Sequence, residues 1–172
     1  MTVPVLNMSY LRLEKLKESP STKQKILIAT DKTNGYWQIT RDSDKQSPWG
    51  LVLAVNQMDI KPVSLRTSRG VLFIGVEQAV FCVTENTGEI ISSITDLTFL
   101  QSIEMLLKER VLVAAEDEML LFTESGVLKW RVNLPDVIQD VKEIADKLQI
   151  ELDSGEKLFV ITETGLVSNE EI

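Results

Sequence analysis

Apolar residues in this chain fall into short runs separated by Gly, Asp, Glu, Asn and Ser, a spacing that predicts strands and turns. Three segments repeat one pattern. Ala79 to Ile90 reads AVFCVTENTGEI, Glu118 to Leu128 reads EMLLFTESGVL, and Lys157 to Val167 reads KLFVITETGLV. Each is an apolar strand that ends in Thr-Glu and turns on a glycine, and Thr84, Thr123 and Thr162 are spaced 39 residues apart. A second strand precedes each across a short turn, at Val71 to Ile74, Val111 to Ala114 and Leu148 to Leu152, so each pair predicts a β-hairpin. A third strand follows the glycine, at Glu89 to Thr95 and at Val127 to Leu134.

The N-terminal copy is fainter. Trp49 stands 81 residues, two periods, before Trp130 and opens the strand-like stretch Trp49 to Val55. Its partners are Tyr10 to Leu16, Ile26 to Ala29 and Tyr36 to Thr40, the last a divergent equivalent of the Thr-Glu strands. Lys61 to Arg66, Leu100 to Leu107 and Ile138 to Ile144 supply the inner strands of the later copies. One four-stranded sheet cannot bury both of its faces alone, so neighbouring copies must stack. A period near forty with four strands predicts an all-β fold, a small β-propeller of about four four-stranded blades in a single domain. The blades are expected at about 10–56, 60–96, 97–135 and 136–172, with residues 3–6 free to add a closing strand. A monomer closed in this way competes with an edge-to-edge homodimer. One alternative stays open: residues 97–110 and 136–148 also carry apolar residues at helical spacing, which would give an α+β fold of β-meanders with two short helices.

The stretch VLVAAEDEMLLFTESGVLKW, Val111 to Trp130, resembles the blades of WD40-like and quinoprotein-type (PQQ-like) propellers. The resemblance covers Val71 to Val167 well and the first sixty residues weakly, and it is one of architecture. No Gly-His or Trp-Asp signature is present, and the quinoprotein cofactor site maps onto no residues of this chain, so no cofactor is expected.

Composition narrows the function. At 172 residues and 44% hydrophobic content the chain can bury a real core. Its formal net charge of −8 argues against nucleic acid and against an anionic membrane, both of which are engaged by neutralising phosphates. A protein partner, with a basic surface, suits that charge. The first ten residues carry neither a charged leader nor a long apolar run, so a cytoplasmic location is expected. The lone cysteine, Cys82, sits in an apolar run and is expected to be a buried, inert thiol. The chain contains no histidine, which removes the Ser-His-Asp and Cys-His couples and His-ligated metal sites. No metal site and no catalytic residue is assigned, and a non-enzymatic protein-binding module is expected. An immunity or inhibitor protein masking a basic toxin or enzyme is one alternative, and a carboxylate-dependent hydrolase with an axial site is another.

Two groups of residues are candidates for partner binding. Glu85, Glu124 and Glu163 recur at one blade position, and Glu116, Asp117 and Glu118 cluster in a turn between strands. In a closed ring they would form a negative face; the plainer reading is that turns need solvated polar residues. Tyr36 and Trp37 follow the turn Asn34-Gly35, and as strand neighbours they point to opposite faces, so one of them is a candidate surface anchor. Trp49 and Trp130, at equivalent positions, are expected to pack between sheets.

Overall fold

The computed structural model describes residues 11–16, 18, 20, 25–29, 31–41 and 49–169. The strands in chain order are β1 (Leu11–Leu16), β2 (Lys25–Ile28), β3 (Gly35–Arg41), β4 (Trp49–Val55), β5 (Val63–Arg66), β6 (Val71–Val76), β7 (Ala79–Thr84) and β8 (Ile90–Ile94). They continue as β9 (Leu100–Leu106), β10 (Arg110–Ala115), β11 (Glu118–Thr123), β12 (Leu128–Asn133), β13 (Ile138–Ile144), β14 (Lys147–Leu152), β15 (Lys157–Ile161) and β16 (Val167–Ser168). There is no helix among the described residues. The strands form four four-stranded sheets, a small four-bladed β-propeller-like fold. The expected closing strand at residues 3–6 lies outside the described residues.

The second to fourth sheets are antiparallel meanders, β5-β6-β7-β8, β9-β10-β11-β12 and β13-β14-β15-β16. The first sheet departs from this order. It runs β1-β3-β4-β2, with β2 parallel to β4 at the edge, so the second strand crosses over the hairpin of β3 and β4 instead of pairing with β3.

Three apolar layers hold the sheets in series. Trp37, Ile39, Leu51 and Leu53 of the first sheet meet Leu72, Ile74 and Phe81 of the second. Phe73 and Val80 meet Val113 and Phe122 of the third, where the rings of Phe73 and Phe122 meet edge to face at 5.4 Å. Leu112, Met119 and Leu121 then meet Leu148, Ile150 and Val160 of the fourth. The central strands β6 and β10 are buried along their whole length because both of their faces are covered. In the fourth sheet β14 and β15 alternate, since one face meets the third sheet and the other, which mixes Lys147, Gln149, Glu151 and Lys157 with Phe159 and Ile161, does not.

The helical spacing at residues 97–110 and 136–148 is produced by bulges. In β9 the pairing shifts so that Gln101 has no partner, which brings Leu100 and Ile103 to the same face of the strand. In β13 the shift at Gln139 does the same for Ile138 and Val141. An extra residue in an antiparallel strand changes apolar spacing from two to three, and three is also a helical interval. These segments are strands, and the α+β alternative does not hold.

Candidate functional site

The recurring turns that open on Thr-Glu and end on glycine lie where one sheet meets the next. The glycines at their ends, Gly88, Gly126 and Gly165, have φ of 69°, 82° and 72°, a region that glycine enters without steric cost. Two of the threonine hydroxyls close their turns: the Thr123 oxygen accepts from Val127 N at 3.1 Å and the Thr84 oxygen from Glu89 N at 3.1 Å.

The glutamates reach across to the preceding sheet. Glu85 is buried; its carboxylate accepts from Arg66 Nε at 2.8 Å and lies 3.8 Å from Arg41 Nη2 of the first sheet. Its carbonyl accepts from the indole of Trp49 at 2.7 Å and from Arg41. Glu124, also buried, accepts from the hydroxyl and amide of Ser68 at 2.9 and 3.3 Å. Glu163 is exposed and takes Lys129 at 2.8 Å together with the buried Arg110 at 2.9 Å. The hydrogen bond and charge of Lys129, with smaller help from Arg110, hold the Glu163 carboxyl below the ordinary glutamate range. The three residues sit at three successive joints between sheets.

Tryptophan completes two of these joints. The Trp130 indole donates to the Thr162 carbonyl at 2.9 Å and its side chain packs closely against Gly165, as Trp49 does on Gly88. A methyl group on Gly165 would come within 2.8 Å of Trp130 Cγ, so the close approach requires glycine.

The acidic turn divides by role. Glu116 is exposed and Asp117 half-buried, and their carbonyls accept from Ile138 N and Leu134 N, both at 2.7 Å, which fixes the connection between the third and fourth sheets. Glu118 is buried and bonds Arg131 Nε at 2.6 Å and Thr98 N at 2.8 Å. The Glu118 hydrogen bond is the main reason the Arg131 guanidinium is held above its ordinary range. Glu77, one period before Glu116, holds the connection between the first two sheets by accepting from Asn56 N at 3.1 Å and from Gln57 N. Sequence reasoning missed Glu77, Arg41 and Arg110; the 39-residue interval from Glu77 to Glu116 was the available signal for the first.

Tyr36 and Trp37 do point opposite ways. Trp37 is in the core, with Lys15 5.3 Å above its ring, and Tyr36 is half-buried on the other face of the first sheet. A cleft of about 330 Å³ beside Glu77 is lined by Asp31, Lys32, Asn56, Gln57, Gln78 and Phe99. Among the described residues no group of three or more His, Cys, Asp or Glu side chains is placed to hold a metal.

Beyond the turns, apolar side chains stay exposed on successive sheets. They are Ile91, Val127 with Leu128, and Leu166 with Val167. They are neighbours across the joints, because a methyl group on Gly126 would touch Ile91 Cγ2 at 3.5 Å and Trp130 brings β12 against Gly165.

No protein-family model matches the chain, and no curated protein matches it. Solved structures do match at low identity. The computationally designed Ika8 protein matches with a TM-score of 0.50 at 11% identity over 77% of this chain. BamB from Moraxella catarrhalis matches with a TM-score of 0.48 at 12% identity over 76% of this chain, and BBS1N, solved in complex with ARL6DN, with 0.42 at 14% over 70%. The chain spans less than half the length of each, 44%, 47% and 42% respectively. At such identity the likeness is one of fold.

Proposed function

We propose that this chain is a non-enzymatic protein-binding scaffold whose binding surface is the outer rim beside the Thr-Glu turns. The observation that carries this reading is the set of apolar side chains Ile91, Val127, Leu128, Leu166 and Val167, exposed beside the Thr-Glu turns of three successive sheets. Single exposed apolar residues are ordinary, but several grouped together are the usual mark of an interaction surface. The joints give a platform of fixed sheets, since Glu85, Glu124 and Glu163 each meet a group of the preceding sheet. The net charge of −8 suits a partner with a basic surface.

The test is site-specific photo-crosslinking from Val127 and Leu166, with Lys142 on the fourth sheet as a distant control position. The expected result is one protein captured at both rim positions and not at the control, and lost when Leu128→Asp is added. Equal capture at all three positions, or capture indifferent to Leu128→Asp, would overturn the reading.

A further inference from the structure

We propose that Asn34 is a site of spontaneous covalent modification, deamidation through attack by the backbone nitrogen of Gly35, and that the reaction opens a clasp between the first sheet and the connection leaving it. Asn34 is the one asparagine of the chain that is followed by glycine; the others are followed by Met8, Gln57, Thr87, Leu134 and Glu170. A glycine nitrogen is unhindered, because no Cβ stands beside it. Asn34 is exposed, so water and hydroxide reach its side chain. Packing favours keeping the reactive pair: a methyl group on Gly35 would overlap the side chain of Met58.

The step balances without an oxidant, a reductant or an enzyme. The Gly35 nitrogen gives up its proton and bonds to Asn34 Cγ, the Cγ–Nδ2 bond breaks, and the amide nitrogen takes up a proton and leaves as ammonia. Water then opens the succinimide ring at either carbonyl. One product is aspartate and the other is isoaspartate, in which the main chain runs through the side-chain carbon.

The amide that is lost holds two contacts. Asn34 Nδ2 donates to the Asn56 carbonyl at 3.3 Å and to Asn56 Oδ1 at 2.5 Å. The Asn34 backbone nitrogen donates to the Val55 carbonyl at 2.8 Å, where β3 begins opposite the end of β4. Asn56 in turn gives its own N–H to Glu77, the buried residue that holds the connection to the second sheet. An ionised carboxylate has no proton to donate. At position 34 it would set oxygen against both oxygens of Asn56, and isoaspartate would also lengthen the main chain beside the bond to Val55. Loss of ammonia makes the opening one-way. The same two contacts anchor the amide, which must let go of Asn56 before it can rotate onto the Gly35 nitrogen, so the fold slows the step.

The test is incubation of the full chain at about pH 8 and 37 °C followed by trypsin, which cuts after Lys32 and Arg41 and releases Thr33 to Arg41 as one peptide. Mass spectrometry should find that peptide about one dalton heavier, as two separable isomers, before any peptide carrying another asparagine. Conversion in urea should be faster than in the native chain by about tenfold or more. Asn34→Asp should lower Tm by roughly 2–6 °C, and Asn34→Ala, which removes the donor without adding charge, by less. The alanine variant carries the comparison if the aspartate variant fails to fold. An unchanged mass of the Thr33 to Arg41 peptide, conversion at other asparagines as fast as at Asn34, a native rate equal to that in urea, or wild-type melting of both variants would each overturn the proposal.

Discussion

Replacing Trp130 tests whether the sheets are joined through the turn glycines. The indole is half-buried, stacks on Gly165 and donates one hydrogen bond of 2.9 Å to the Thr162 carbonyl. Truncating a fully buried aromatic costs about 3–5 kcal/mol, so a half-buried one with a hydrogen bond to lose should cost about 2–4 kcal/mol. For a chain of this size about 3 kcal/mol lowers Tm by roughly 6–12 °C. Gly165→Ala attacks the same joint from the other side. It forces a side chain onto a φ of 72°, about 1–2 kcal/mol, and drives a methyl to 2.8 Å from the ring, overpacking worth about 1–3 kcal/mol more. In the double variant the ring is gone and the second cost disappears. Urea unfolding followed by circular dichroism should show the double variant more stable than the sum of the singles by about 1–3 kcal/mol. Strict additivity would refute the stacking argument, and near-wild-type stability of Trp130→Ala would make that tryptophan a surface residue.

Glu77→Ala should destabilise by about 1–3 kcal/mol, because two backbone amides lose their acceptor at a buried turn; denaturant titration would show it. Glu124→Ala should cost about 1–2 kcal/mol for the same reason, a value that an exposed turn residue would not reach. Far-ultraviolet circular dichroism should be strand-dominated; a helix content near a fifth would contradict the sixteen strands. Burial raises the Cys82 thiol from 9.0 to about 11, against a smaller opposing effect of the Ser92 hydroxyl. Because the folded value is the higher, this contribution to stability is complete below pH 9 and is lost as pH rises toward 11, by about 2–3 kcal/mol relative to Cys82→Ala measured over the same range. At pH 8 the native thiol should resist a thiol reagent that labels it at once in urea.

Much of the architecture is legible in the residues themselves. The hairpin expected at Val111 to Ala114 and Glu118 onward is β10 and β11, and the one at Leu148 to Leu152 and Lys157 onward is β14 and β15. Period-two burial and Gly turns act over a few residues, so sequence carries them well. The crossing of β2 to the edge of the first sheet is a choice of partner strand, β4 over β3, and no local pattern records it. The joints were hidden for a similar reason. Glu85 and Arg41 are 44 residues apart, Glu124 and Thr67 57 apart, and Glu163 and Arg110 53 apart. A repeated Thr-Glu therefore looks like turn chemistry until the neighbouring sheet supplies the cation or hydroxyl that meets it.

The middle joint shows how far the repeat can vary while the fold is kept. Trp130 lies four residues after Gly126, and the residue four after Gly88 is Ser92. Ser92 meets the next sheet at the same point as the tryptophan does, but through its hydroxyl, which donates to the Gly126 carbonyl at 2.8 Å. The volume an indole would take is already filled: a methyl on Gly126 would lie 3.1 Å from Cys82 Cβ and 3.5 Å from Ile91 Cγ2. If the repeat were interchangeable, Ser92→Trp would restore the consensus and stabilise the chain. The packing argues the reverse, since the new ring must displace Cys82 and Ile91 and forfeits the hydroxyl bond, for a net cost of about 1–3 kcal/mol. Shrinking the obstruction with Cys82→Ala in the same chain should recover part of that loss. A more stable Ser92→Trp variant by thermal unfolding would show instead that the middle joint has room for the indole, and that sulfur and isoleucine do not take its place.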